Sequence, residues 1–167
     1  MARQVIRVCF VCLGNICRSP TAEAVVKDLI DKEGLANRLK VDSAGTGGWH
    51  VGEQADERSR AAAKARGIAV TSIARQVRED DFDHFDYLIA MDQSNERNLR
   101  RLAPTKEART KVSLFRSYDP LAPEGAEVPD PYYGGENGFD EVFDICARAG
   151  RGLIRELKKK HHLDADR

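Results

Sequence analysis

The spacing of hydrophobic residues predicts alternating strands and helices. Residues 5–12, VIRVCFVC, form an almost continuous apolar run rich in β-branched side chains, which is typical of a strand buried on both faces of a parallel sheet. After a short loop, Ser19 provides a capping hydroxyl and Pro20 a proline at the first helical position. Residues 22–30 keep the spacing of an amphipathic helix. Gly34 lies where that helix should end. The first unit is therefore strand, tight loop and helix.

The rest of the chain continues this alternation. We predict further strands at residues 39–44, 86–91 and 112–115, and helices at residues 54–66 and 139–159. Between the last strand and the last helix, residues 117–138 form a long loop with four prolines, and loops of this length are usually functional. The pattern predicts an α/β fold with a small parallel sheet, whose ligands bind beyond the carboxyl ends of the strands.

Length and charge narrow the class of protein. A chain of 167 residues fits one domain, which we place at residues 1–160 with a frayed charged tail at residues 161–167. Its 27 Lys and Arg residues balance its 27 Asp and Glu residues, so we expect no nucleic-acid partner. The longest apolar run near the start, residues 8–13, is too short for a signal peptide or for a membrane span of about 20 residues. We therefore expect a cytoplasmic protein with reduced thiols and no insertion into membranes.

The loop between the first strand and the first helix, CLGNICRSP, carries the candidate chemistry. Gly14 can adopt backbone angles that turn successive N–H groups inward, and the following helix directs its positive end to the same point. A phosphate-sized anion would fit there, and Arg18, six residues after Cys12, can bind two of its oxygens. Cys12 alone would often be a buried apolar residue, but beneath such an anion its nucleophilic thiolate form is favoured. A Walker-type loop is excluded because no GxxxxGK[ST] occurs.

The segment VCLGNICRSPTAEAV resembles the signature of the low-molecular-weight protein tyrosine phosphatases. Four further segments match in order and approximate spacing: DSAGTGGWHVG (42–52), ARQ (74–76), AMDQSN (90–95) and PDPYYGG (129–135). The resemblance implies a four-stranded parallel sheet with helices on both faces, a flavodoxin-like three-layer sandwich. It also implies hydrolysis of phosphotyrosine in proteins through a phosphocysteine on Cys12, with Arg18 binding the phosphoryl oxygens and inorganic phosphate as product. We expect no cofactor.

The long loop holds two candidates for a general acid, which speeds departure of an aryl oxide by about 10²- to 10⁴-fold. Asp119 and Asp130 both precede proline, and composition alone does not choose between them. The match to DPYYGG assigns the role of acid, and later of base, to Asp130, and leaves Asp119 as a turn residue. By the same resemblance, apolar and aromatic side chains line a slot for the substrate ring. The predicted substrate-binding set is Leu13, Gly14, Asn15, Ile16, Cys17, Ser19, Trp49, Tyr132 and Tyr133.

Other matched residues support the phosphate-binding loop in the family. The resemblance implies that Asn15, Ser19 and Ser43 hold the loop by hydrogen bonds, and that Ser19 can donate to the sulfur. Relatives often have histidine where this chain has Ser72, so this network is either rebuilt or absent here. Asp92 is interpreted either as loop support or as a plain helix cap.

The remaining cysteines have separate interpretations. Cys9 and Cys12 form a CxxC pair, but residues three apart in a strand point to opposite faces, which argues against a thioredoxin-like site. Cys17 is a small loop residue or, by resemblance, the partner of a reversible disulfide with Cys12. Cys146 lies on the apolar stripe of the last helix and is predicted to be core. Without a second Cys/His pair we predict no zinc site. The four histidines, His50, His84, His161 and His162, are interpreted as surface residues.

Three other functions are weighed against phosphotyrosine hydrolysis. An arsenate reductase shares this fold and loop, but the resemblance then calls for two further cysteines, and residues 82–91 contain none. Arginine phosphatases of the family tend to have threonine after the loop asparagine, where this chain has the bulkier Ile16 facing the substrate. A non-catalytic phosphate-binding or thiol-redox module does not need Cys12, Arg18 and Asp130 together. The sequence therefore favours a protein tyrosine phosphatase.

Overall fold

The computed structural model describes residues 4–132, 134–135 and 137–164. Within these ranges four strands form one parallel sheet in the order β2-β1-β3-β4. The strands are β1 (Ile6–Cys12), β2 (Leu39–Gly45), β3 (Tyr87–Ala90) and β4 (Val112–Leu114). The helices are α1 (Arg18–Lys32), α2 (Glu57–Lys64), α3 (Asp81–His84), α4 (Gln93–Leu102), α5 (Lys106–Arg109) and α6 (Gly138–His161), with a 3₁₀ turn at Phe115–Tyr118.

Alternate residues of β1 face opposite sides of the sheet. Ile6, Val8 and Phe10 pack in a core shared with α1 and α6, whereas Cys9 and Val11 pack with the short helices α3, α4 and α5. All five side chains are at most 1% exposed. A strand covered on both faces must be apolar throughout, which explains its nearly continuous hydrophobic run. The predicted three-layer α/β fold is confirmed.

The resemblance implies helices on both faces of the sheet, but the apolar pattern does not locate those on the second face. α3 and α5 have four residues each, too few for the helical period of 3.6 to appear in the sequence. α4 has ten residues but buries only Asn95 and Leu99, one of them polar. The predicted helix at residues 54–66 is shorter in the structure, because Gln54 forms a β-bridge with Ile73 before α2 begins.

The end of the chain is held more firmly than a frayed tail from residue 161 would be. α6 continues through His161, whose Nε2 lies 2.7 Å from Tyr87 Oη on β3. His162 then reverses the chain in the left-handed region, with φ 53°, and Leu163 is buried at 3% exposure in the main core. Residues 165–167 lie outside the described residues.

The sheet order places the carboxyl end of β1 at a topological switch point. The chain passes from β1 to β2 on one side of the sheet and later to β3 on the other side. Loops on either side of such a switch point diverge and leave a crevice at the carboxyl end of the strand, where α/β proteins bind ligands. The candidate loop follows this end of β1. In the part of the chain that the structure describes, no helix is long and apolar enough to cross a membrane.

Candidate active site

A cleft of about 360 Å³ opens at the carboxyl end of β1. It is lined by Cys12, Leu13, Gly14, Ile16, Cys17, Arg18, Trp49, His50, Asp130 and Tyr132. The three predicted catalytic residues therefore meet at one cleft although they are up to 118 residues apart in the chain. Tyr133, also predicted to bind substrate, lies outside the described residues.

The loop after β1 is held from behind by Asn15. This residue has φ 55°, a left-handed conformation that asparagine tolerates better than most residues, and it is 1% exposed. Its side-chain nitrogen Nδ2 donates to Ser19 Oγ at 2.8 Å and to Ser43 Oγ at 3.0 Å. Its side-chain oxygen Oδ1 accepts the backbone N–H of Arg75 at 3.0 Å. Ser19, Ser43 and Arg75 thus hold Asn15, and none of these three bonds involves Ser72.

Ser19 does not cap α1, so this prediction is wrong. The helix begins at Arg18, two residues before the predicted first position Pro20, and the cap residue Cys17 makes no side-chain hydrogen bond. The Ser19 hydroxyl lies instead 3.0 Å from Cys12 Sγ. Ser19 therefore lies in the first helical turn, with its hydroxyl next to Cys12 and Asn15 rather than bonded to the helix backbone. The first N–H groups of a helix have no hydrogen-bond partner within the helix. In α1 these groups lie at the end of the loop that begins at Cys12, where they can bind an anion.

Arg18 is held in the floor of the cleft at 3% exposure. Its Nη1 donates to Asp92 Oδ2 at 2.7 Å and to the Val128 carbonyl at 3.0 Å, and its Nη2 lies 3.7 Å from Asp130 Oδ2. Burial by itself would lower the pKa of Arg18, but Cys12 and the two carboxylates raise it overall. The guanidinium is therefore charged and fixed in orientation beside the thiol.

Asp92 combines the two interpretations that the sequence left open. Its Oδ1 accepts the backbone N–H of Asn95 at 2.7 Å and caps α4. Its Oδ2 pairs with Arg18. One carboxylate thus joins the start of a helix on the second face of the sheet to the cleft.

The two aspartates of the long loop have different surroundings. Asp130 lies on the cleft with its side chain 38% exposed, and its Oδ1 accepts the Tyr132 N–H at 3.0 Å. Asp119 is 4% exposed, accepts the Leu121 N–H at 2.9 Å in a turn, and lies 3.5 Å from Arg148. Asp119 is not among the residues that line the cleft. Of the two candidates, the structure brings only Asp130 to Cys12.

The walls of the cleft are apolar. Leu13, Trp49 and Tyr132 all line it and are 43%, 73% and 39% exposed. The Trp49 ring lies over Gly47, where any side chain would overlap it. Ile16 also lines the cleft but is only 9% exposed and packs against Phe139. These surfaces suit a flat aromatic group above the thiol.

Two residues near the cleft were missed by sequence reasoning. His50 lines the cleft instead of lying apart on the surface, and its Nδ1 is 2.7 Å from Glu53 Oε2. Its position next to Trp49, which was predicted as a wall, was the available signal. Glu23 accepts the Ser43 hydroxyl at 2.6 Å and so extends the Asn15 network. No local pattern reveals that contact, which joins α1 to β2.

The four cysteines are all unpaired. Cys9 and Cys146 are 0% exposed, and Cys9 packs on the opposite side of the sheet from Cys12, so both predictions are confirmed. Cys17 is 5% exposed, and burial raises its pKa to about 12. Its disulfide with Cys12 stays a prediction. Among the described residues, no group of three or more His, Cys, Asp or Glu side chains could hold a metal ion.

The buried thiol of Cys12, the guanidinium of Arg18 and the carboxyl group of Asp130 line one cleft at the switch point of an α/β sheet. Such a combination of groups is typical of phosphatases with a cysteine nucleophile. Residues 7–163 match the profile of the low molecular weight phosphotyrosine protein phosphatases. The chain belongs to this family of hydrolases.

Curated relatives and solved structures of the family match this chain over nearly its whole length. A low molecular weight protein-tyrosine-phosphatase of Streptomyces coelicolor is 47% identical, over 92% of this chain and 94% of the relative. The crystal structure of a protein tyrosine phosphatase from Entamoeba histolytica with Hepes in its active site is 44% identical, with a TM-score of 0.89, and the match covers 93% and 98% of the two chains. The arginine phosphatase YwlE of Bacillus subtilis has the same fold at 26% identity, with a TM-score of 0.84 over 95% and 100% of the two chains.

Proposed function

We propose that the protein hydrolyses phosphotyrosine in proteins in two steps, with Cys12 as nucleophile, Arg18 as phosphate clamp and Asp130 as general acid and base. The observation that carries the proposal is the meeting of these three side chains on one cleft with aromatic walls. Phosphoproteins are the substrates that the family implies.

The first step transfers the phosphoryl group to sulfur. The Cys12 thiolate attacks phosphorus, the S–P bond forms, and the bond from phosphorus to the tyrosyl oxygen breaks. Asp130 gives its proton to that oxygen, so that tyrosine leaves as a neutral phenol. Arg18 donates two parallel hydrogen bonds to the phosphoryl oxygens, where negative charge must be stabilised as the bonds exchange.

The second step releases phosphate. Asp130, now a carboxylate, removes a proton from water, whose oxygen attacks phosphorus while the S–P bond breaks. The electron pair of that bond returns to Cys12, and the Ser19 hydroxyl 3.0 Å from the sulfur stabilises the departing thiolate. Inorganic phosphate leaves and the enzyme returns to its first state.

The lining of the cleft favours phosphotyrosine over phosphoarginine. Leu13, Trp49 and Tyr132 offer apolar faces to an aryl ring, and Ile16 has no hydroxyl to meet a polar guanidine. Identity to the Entamoeba histolytica tyrosine phosphatase is 44%, against 26% to the arginine phosphatase YwlE. An arsenate reductase relay is not favoured, because the cysteines beyond the cleft, Cys9 and Cys146, are fully buried.

We place the protein in the cytoplasm. All four of its cysteines are unpaired, and free thiols are typical of reducing compartments.

The test is phosphate release from a tyrosine-phosphorylated peptide, measured for the native protein and for Cys12→Ser with a chelator present. We expect turnover that is unaffected by the chelator and vanishes in the variant. Equal release from the variant would contradict the mechanism. Release from a phosphoarginine peptide alone would instead support the arginine phosphatase.

A further inference from the structure

A chain of contacts leaves the phosphate-binding loop on the side of α2. The backbone N–H of Asp56 donates to the Ile16 carbonyl in the middle of that loop at 2.8 Å. Asp56 is also the cap of α2, because its Oδ1 accepts the Arg58 N–H at 2.8 Å. The start of α2 is therefore fixed to the loop that carries Cys12.

The same carboxylate fixes the side chain of Arg58. Nε and Nη2 of Arg58 each lie 3.0 Å from a different oxygen of Asp56. Two parallel bonds set the plane of a guanidinium as well as its position. The hydrogen bond from Arg58 also lowers the pKa of Asp56, so the pair stays charged at neutral pH.

The fixed guanidinium contacts two aromatic rings. Its central carbon lies 4.5 Å from the ring centre of Phe139 and 5.3 Å from that of Tyr132, both within the range of about 6 Å for cation–π contacts. Phe139 is 7% exposed and anchored in the first turn of α6. Tyr132 is a wall of the cleft, and its N–H donates to Asp130. Arg58 thus lies between an immobile ring and the segment that carries the acid.

We infer that Arg58 is a positioning residue: by binding Asp56 and contacting the Tyr132 ring, it sets the distance between the phosphate-binding loop and Asp130. Arg58 itself does not line the cleft. The inference rests on the proposed function, because it takes Asp130 as the general acid. Loss of Arg58 then affects the step in which a proton must reach the leaving oxygen, and affects it most when the leaving group is poor.

The chain offers a matched control in Arg66, the second residue after the end of α2. Its guanidinium carbon lies 4.8 Å from the Phe143 ring centre, and its Nη1 is 2.8 Å from Asp140 Oδ1. Arg66→Ala therefore removes one cation–ring contact and the ion pairs with Asp140 and Asp144 of α6. Arg58→Ala removes two cation–ring contacts and the ion pair with Asp56 beside the cleft. Only Arg58→Ala removes a contact with Tyr132, in the segment that carries Asp130.

The experiment measures kcat/KM for a series of aryl phosphates with leaving groups from good to poor, in the native protein, Arg58→Ala, Arg66→Ala and Asp130→Ala. For Arg58→Ala we expect a loss of about tenfold with the poorest leaving group, a part of the roughly 10²- to 10⁴-fold that a general acid contributes. With p-nitrophenyl phosphate the loss should be small. Arg66→Ala should keep the native dependence on the leaving group.

Each outcome has one meaning. A steeper dependence in Arg58→Ala, in the direction of Asp130→Ala, supports the positioning role. A native dependence in Arg58→Ala, or an equal loss with every substrate, overturns it while leaving the proposed function intact. If Asp130→Ala itself keeps the native dependence, the assignment of the acid is the part that fails.

Discussion

At the scale of single residues, the carboxylate of Asp92 makes two separate structural contacts. It caps α4 with one oxygen and binds the buried Arg18 with the other. Loss of a cap alone costs about 1 kcal/mol, whereas removal of one partner from a buried ion pair costs about 3–5 kcal/mol. The second role therefore dominates the energetics of this residue.

We expect Asp92→Ala to lower the free energy of unfolding by clearly more than a cap substitution, and to lower phosphatase activity because Arg18 loses its orientation. Urea unfolding measures the first effect. Thr105→Ala is the matched control, since Thr105 caps α5 by accepting the Ala108 N–H at 3.0 Å and, among the described residues, forms no hydrogen bond with the lining of the cleft. Equal losses in the two variants would contradict the role of the ion pair.

Glu23 gives the network behind the loop a dependence on pH. Burial raises the pKa of Glu23, although the hydrogen bond from Ser43 acts in the opposite direction. Between the ordinary pKa and the raised one, the folded state keeps a proton that the unfolded chain has lost. The free energy of unfolding should therefore fall as pH rises through this window.

Glu23→Gln should remove that part of the pH dependence while keeping an acceptor for Ser43. The measurement is urea unfolding of both proteins from about pH 4 to about pH 7, the range in which carboxyl groups with raised pKa titrate. Parallel curves for the two proteins would refute the assignment to Glu23.

The individual contacts of the site were only partly predictable. The sequence located the loop, because a glycine, an arginine and a helix start follow the apolar strand within nine residues, Cys12 to Pro20. It did not reveal that Asn15 bonds to Arg75, or Ser43 to Glu23. These contacts join residues that are 60 and 20 positions apart, and they depend on where separate elements meet. The false cap at Ser19 has the same cause: a hydroxyl has more than one possible partner.

At the scale of elements, α6 packs on the 3₁₀ turn through a glycine. A side chain at Gly152 would overlap the Tyr118 carbonyl, which belongs to the backbone and cannot swing away. At Gly150, two residues earlier on the same helix, a Cβ would lie 3.0 Å from Cγ2 of Val26. Alanine is the better helix former by about 1 kcal/mol at both positions, so the difference between them reports packing alone.

We therefore expect Gly152→Ala to destabilise the fold by about 2 kcal/mol or more, and Gly150→Ala to change its stability little. Chemical unfolding of the two variants tests the comparison. A similar stability for both would mean that the contact between α6 and the turn is looser than described.

The elements themselves were predictable where they are long or fully buried. β1 carries the continuous apolar run of a strand buried on both faces, and α6 carries the apolar stripe of a long amphipathic helix. The four-residue helices and the sparsely buried α4 carry no such pattern, because their positions follow from packing on a sheet that the rest of the chain builds.

At the scale of the whole molecule, the topology decides where the chemistry takes place. β1 lies inside the sheet, and its carboxyl end is the switch point between the connections to β2 and β3. The general rule for α/β sheets therefore places the ligand there before any side chain is considered. Residues from three further parts of the chain, Trp49, Asp92 and Asp130, reach the same point through the loops that follow the strands.

The position of β1 has a consequence for how the protein loses activity. Central strands are the last parts of a domain to open, whereas long loops with little regular structure open first. Cys12 ends β1, paired with Gly45 of the neighbouring strand, while Asp130 lies in the loop between Tyr118 and Gly138. We therefore expect amide hydrogens near Cys12, the proposed nucleophile, to exchange slowly, and those near Asp130, the proposed acid, to exchange faster. If the proposed roles are right, mild denaturing stress should remove the contribution of Asp130 while the loop after β1 is still folded.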